Sequence, residues 1–119
     1  MKALSFAVGM LLFSLNVHAV SFDCKKAFTS VEKEICSDSL LGKLDDALAQ
    51  NYKYMLAANI GDGAKKDLKA TQKKWLTERN KCTNKTCLVN TYRQRVDEVC
   101  DYPVISGMHP GCTNSDEVK

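Results

Sequence analysis

Six cysteines, at positions 24, 36, 82, 87, 100 and 112, constrain this short chain more than any other feature. An even set reads as a disulfide framework in an oxidising compartment, and as metal or redox chemistry in a reducing one. The N-terminal segment decides between the two. "MKALSFAVGMLLFSLNVHA" has a basic start at Lys2, an apolar run from about Ala3 to Leu15, and a small-residue close at Val17-His18-Ala19. A membrane-crossing helix needs about 20 apolar residues, so residues 1–19 are predicted to be a cleaved secretory signal peptide. Ser21-Phe22-Asp23, ahead of Cys24, lacks the small residues of a lipobox. The expected product is periplasmic or secreted, with neither a lipid anchor nor stable membrane insertion. Cleavage leaves 100 of the 119 residues, one small domain, and all six cysteines lie within it.

Zinc and thiol redox chemistry both fit poorly. Each favours a C-x-x-C pair, which is absent, and His109 is the one histidine left after cleavage. Cys24, Cys36, Cys82, Cys87, Cys100 and Cys112 are therefore expected to form three disulfides, with no metal and no cofactor. On one continuous helix, residues five apart are separated by about 7.5 Å of rise, whereas a disulfide needs Cα atoms within about 7 Å. Cys82 and Cys87 can pair only if the helix breaks between them. Thr83-Asn84-Lys85-Thr86 supplies such a break, because short polar side chains compete for backbone hydrogen bonds. The spacing thus predicts a clasp at a helix–helix corner. Cys24–Cys36 and Cys100–Cys112 are the simplest remaining pairs. Each bridge would contribute about 2–3 kcal/mol in the chain-entropy description.

Hydrophobic periodicity between the cysteines is helical throughout. Thr29-x-x-Glu32 is a capping-box signature for a short helix ending near Cys36. Leu41, Leu44, Leu48, Tyr52 and Met55 form the stripe of a second helix, with Gly61-Asp62-Gly63 as its expected stop. A third is expected from about Ala64 to Asn80, with Leu68, Gln72, Trp75, Leu76 and Arg79 inward. A fourth runs from Cys87 to about Val99 and turns Leu88, Tyr92, Arg95, Val96 and Val99 inward. Pro103, Gly107, Pro110 and Gly111 exclude a helix after Asp101. The prediction is an all-α fold: a disulfide-stapled antiparallel bundle of three main helices and one short N-terminal helix, spanning residues 20–100. Residues 101–119 form an irregular extended tail tethered by Cys112.

"FDCKKAFTSVEKEIC", "LLGKLDDALAQNYKYML" and "QKKWLTERNKCTNKTCLVNTYRQR" resemble the LprI-type lysozyme inhibitor family of small exported bacterial proteins. The most specific portion joins Gln72, Trp75, Arg79, Asn80, Cys82, Cys87, Leu88, Tyr92 and Arg95. The resemblance spans about residues 22–96 and implies an all-helical protein that binds and inhibits a lysozyme. The tail with Cys100 and Cys112 lies beyond it.

Asp45, Gln72, Arg79, Tyr92 and Arg95 place polar groups on apolar stripes. Charges on a core face need partners, so these residues read as a structural network, with Arg79 or Arg95 paired to Asp45. Trp75 shares their phase and reads as core. No catalytic residue emerges: G-x-S-x-G, H-E-x-x-H and phosphate-cradling glycine loops are all missing. After cleavage 16 basic side chains face 14 acidic ones, too even a balance to argue for nucleic acid or an anionic membrane. Many lysozymes are themselves basic, so inhibition would require local complementarity. Their clefts carry two carboxylates, and Lys81 and Lys85 on the clasp are the candidate plug. The alternative is an envelope or stress-related protein with a different protein partner, such as a toxin to be neutralised.

Overall fold

The structure, a computed structural model, describes residues 21–119. The expected signal peptide lies outside the described residues. Four α-helices carry the fold: α1 (Ser30–Ser37), α2 (Ser39–Ala57), α3 (Asp62–Arg79) and α4 (Lys85–Val99). One-turn 3-10 helices at Cys24–Lys26 and Ser115–Glu117 flank them, and no strand occurs among the described residues.

The capping box at α1 is reciprocal. The Glu32 amide donates to Thr29 Oγ1 at 3.1 Å and the Thr29 amide donates to Glu32 Oε1 at 3.1 Å. Backbone amides of Phe28 and Thr29 together hold the Glu32 carboxyl below the usual carboxylate range. A single extended residue, Asp38, separates α1 from α2 and caps α2 by accepting from the Leu41 amide at 2.9 Å. Because Asp38 is extended, α2 leaves in a new direction and can lay its apolar face against α4.

Leu41, Leu44, Leu48 and Met55 are buried as the stripe predicts, whereas Tyr52 is half-buried and Asn51 fully buried. The expected glycine stop is not how α2 ends. The helix closes at Ala57 with Ala58 extended, before Gly61 is reached. Gly61 instead starts α3 at φ 91°, and Asp62 and Gly63 belong to its first turn. The positive φ is what favours glycine here; a Cβ on Gly61 would also come within 2.9 Å of Ile105 Cδ1, the movable end of an exposed side chain.

Only Leu68 and Arg79 of α3 are fully buried, and Leu76 is 38% exposed rather than inward. At 3.6 residues per turn, Leu76 stands roughly 70° off the stripe of Leu68, Gln72, Trp75 and Arg79. The fourth helix begins at Lys85, two positions before the expected Cys87, because Asn84 accepts from the Cys87 amide at 2.8 Å. α4 makes its most extensive contact with α2; α1 packs on α2 and α3 on α4. The core between them is built from Ile35, Leu41, Leu44, Met55, Leu68, Tyr92, Val96 and Val99.

Three disulfides join Cys24–Cys36, Cys82–Cys87 and Cys100–Cys112, and no described cysteine is free. The clasp works as the spacing predicts. Cys82 sits in the connector, Cys87 in the first turn of α4, and their Cα atoms are 5.6 Å apart.

Polar contacts dock the tail more firmly than a tether would. Asn51 Nδ2 donates to the Thr113 carbonyl at 2.9 Å, and Asn51 Oδ1 accepts from the Thr113 amide at 3.0 Å. Arg93 donates to the carbonyls of Ser115 and Val118, and Asp97 accepts from the Ser115 amide and hydroxyl, each at 2.8 Å. Val118 is buried as a result.

Candidate functional site

The motif residues meet in a relay across three helices. Asp45 on α2 is 3% exposed, and its Oδ1 accepts from the Tyr92 hydroxyl at 2.7 Å. Tyr92 in turn accepts from Arg79 Nη1 at 3.2 Å. The expected direct pairing of Asp45 with Arg79 or Arg95 is not formed, since the phenol stands between Asp45 and Arg79. Arg79 spends Nε and Nη2 on Asn80 Oδ1 at 3.1 and 2.9 Å, and lies 5.9 Å from the ring centroids of both Phe22 and Trp75. The remaining oxygen of Asp45 accepts from the Ser21 amide at 2.5 Å. Burial, reinforced by the Asp45 charge, pushes the Tyr92 phenol far above its ordinary value. A phenol locked in that protonated state serves as a bridge and not as a base.

Arg95 occupies a separate place. Its Nε donates to Gln72 Oε1 at 2.9 Å and its Nη2 to Thr71 Oγ1 at 3.1 Å, tying α4 to α3. Glu98 stands 3.5 Å from Nη1. Trp75 packs edge-on against Tyr92 with ring centroids 5.0 Å apart, and donates Nε1 to the Thr91 carbonyl at 3.3 Å. It is half-buried, and its open side lines a groove of about 480 Å³ between α3 and α4.

The clasp lies at one end of that groove, and its two lysines serve different neighbours. Lys81 lines the groove and pairs with Glu78 at 3.1 Å, its side chain 68% exposed. Lys85 reaches the α1–α2 corner and pairs with Asp38 at 2.6 Å. That contact, followed by the Leu41 amide, lowers the Asp38 carboxyl below its usual range.

The two ring nitrogens of His109 stand 2.9 Å from the carbonyls of Cys100 and Pro110, and a neutral ring can donate to one of them. Among the described residues no group of three or more His, Cys, Asp or Glu could hold a metal ion. Sequence reasoning missed the groove's polar wall of Thr91, Gln94 and Glu98 on α4. Their spacing with Cys87 traces one helix face, a polar stripe legible in principle but indistinguishable from solvated surface until α3 lies beside it.

Comparison with known proteins gives one positive result. Residues 24–99, more than half of the chain, match the family model described as lysozyme inhibitor LprI. No curated protein and no solved structure matches the chain.

Proposed function

The chain belongs to the lysozyme inhibitor LprI family, and from that membership we propose an exported, non-catalytic protein that binds a lysozyme and blocks its active-site cleft. One observation carries the blocking mode: a disulfide-closed corner holds Lys81 out from the body, 68% exposed, at the mouth of a groove. A glycosidase cleft carries two carboxylates, so a cation on a rigid corner meets opposite charge. The clasp also removes most of the ordering cost that a free loop would incur on binding. Lys85 adds a second cation on the same corner. The pair of Lys81 with Glu78 is an exposed contact of small net worth, which a partner can replace. That of Lys85 with Asp38 is more sheltered, the Asp38 side chain being 17% exposed, and binding through Lys85 would have to break it.

Export accords with the disulfides, which persist in oxidising compartments. No described helix is long and apolar enough to cross a membrane. Cleavage after Ala19 completes the reading.

The test is the double change Lys81→Ala/Lys85→Ala in an assay of cell-wall lysis. Surface changes of this kind typically alter stability within about ±0.5 kcal/mol, so helicity should hold and the melting temperature should fall only by the contribution of the Lys85–Asp38 pair. Inhibition should weaken at least tenfold, equivalent to about 1.4 kcal/mol. A double variant as potent as wild type would move the inhibitory surface away from the clasp. A wild-type protein that inhibits no lysozyme but binds another envelope protein would replace the reading altogether.

A further inference from the structure

Inhibition by the clasp lysines leaves the groove beside them without a task. That groove, about 480 Å³ between α3 and α4, falls in the size range of small-molecule sites, roughly 300–1,000 Å³. Gln72, Trp75 and Arg95, all residues of the sequence motif, converge on it. Its chemistry is of two kinds, an indole on one side and hydrogen-bonding side chains of α4 on the other.

Trp75 supplies the apolar part, and it is rigidly held. Arg79 and Tyr92, hydrogen-bonded to each other, lie against the ring from the protein interior. The indole Nε1–H donates to the Thr91 carbonyl at 3.3 Å, which sets the orientation of the ring. The part of the indole left uncovered faces the groove.

The polar wall is positioned from behind. Gln72 and Thr71 on α3 accept from the buried Arg95, at 2.9 and 3.1 Å. Arg95 Nη1 in turn stands 3.5 Å from Glu98 Oε1, and Gln94 Nε2 donates to Glu98 Oε2 at 3.1 Å. Each oxygen of Glu98 is thereby oriented, and a carboxylate oxygen has two acceptor sites, so each can take a second hydrogen bond. Gln94 adds its amide oxygen one turn earlier on the same helix face.

Charge decides what kind of molecule suits these groups. Glu78 and Lys81 neutralise each other at 3.1 Å, and Arg95 stands behind Glu98. The groove therefore has no excess charge with which to select an ion. An aliphatic side chain would cover the indole but bury Glu98 and Gln94 without donors, which is costly. A pyranose with equatorial substituents meets both requirements. Its axial C–H bonds form a flat apolar face that lies on the electron-rich face of an indole, while hydroxyls around its rim donate to carboxylate and amide oxygens.

We propose that the α3–α4 groove binds a pyranose ring of an uncharged glycan. The sugar stacks on Trp75, and its rim hydroxyls donate to Glu98 and Gln94. This goes beyond inhibition of a lysozyme and does not depend on it: the protein has a saccharide site of its own, beside the clasp.

Trp75 is the one tryptophan of the chain, so intrinsic fluorescence reports from the site alone. Oxidised protein, with no lysozyme present, is titrated with cellotriose and with tri-N-acetylchitotriose, two uncharged saccharides with equatorial substituents. At least one should change the emission saturably. Glycerol at equal hydroxyl concentration should not, because it has no apolar ring face. Gln94→Ala/Glu98→Ala alters two exposed positions of α4, so the helical signal should persist while the apparent affinity falls at least tenfold. A flat titration of wild type with both saccharides overturns the proposal, as does a glycerol response of equal size or a variant that binds like wild type. A lysozyme that perturbs Trp75 when neither saccharide does would assign the groove to the protein partner and overturn it too. Saccharide binding by a protein that inhibits no lysozyme would leave the groove proposal standing and remove the inhibitor reading alone.

Discussion

Tyr92 is the residue on which the interior turns. Its hydroxyl donates a hydrogen bond to Asp45 at 2.7 Å and accepts one from Arg79 at 3.2 Å, so one phenol satisfies two buried groups at once. Removing it by Tyr92→Phe leaves the volume intact but strands Asp45 Oδ1 and Arg79 Nη1. An unsatisfied buried partner costs about 1–3 kcal/mol, and urea unfolding should show that loss with an unchanged slope. A shift within a few tenths of a kcal/mol would mean that water reaches Asp45 and the relay is not closed. At this scale the sequence is informative about faces and poor about partners. Asp45, Arg79, Tyr92 and Arg95 can be placed inward from periodicity alone. Which of them touch depends on the relative heights of α2, α3 and α4, and no helix encodes that by itself.

Element boundaries follow local chemistry where a side chain caps and escape it where the backbone alone decides. Thr29 with Glu32, and Asn84 with Cys87, are short-range pairs visible in the sequence. The role of Gly61 is not, because a glycine signals positive φ equally well after one helix and before the next. What assigns it to α3 is that α2 has already closed at Ala57, while the Gly61 carbonyl accepts from the Lys65 amide at 3.0 Å as the first bond of α3. Asp38 joins two elements and a distant third, capping α2 while pairing with Lys85 on α4. Its carboxyl is held below the usual range, so its charge adds stability above about pH 4, the region of the unfolded value. That stability is lost as pH falls toward the lower folded value. Asp38→Asn keeps the cap and removes the charge, so its melting temperature should fall less between pH 5 and pH 2 than that of wild type. Glu32, lowered in the same sense, leaves part of the slope in place. Identical acid limbs would show that the Lys85 pair contributes nothing.

For the described residues as a whole, the question is what holds 21–119 together with so narrow an α3 contact. The disulfides constrain the unfolded chain, but the tail is also bound by Asn51, Arg93 and Asp97. Their contacts fall at Thr113, Ser115 and Val118, outside the Cys100–Cys112 loop. Cys100→Ser/Cys112→Ser should therefore cost about 2–3 kcal/mol while the Thr113 and Ser115 amides stay protected from hydrogen exchange. Loss of that protection would make the disulfide the sole anchor. By itself the sequence determined the helices, the clasp and the inward faces, because periodicity, caps and cysteine spacing act over a few neighbouring residues. Only the tertiary structure decided the Asp45–Tyr92–Arg79 relay, the docking of the tail on Asn51 and the groove beside α3. The bonds from Tyr92 to Asp45 and from Asn51 to Thr113 span 47 and 62 positions. Partners so far apart are chosen by helix packing, which sums weak contacts over the whole core and leaves no local mark in the chain.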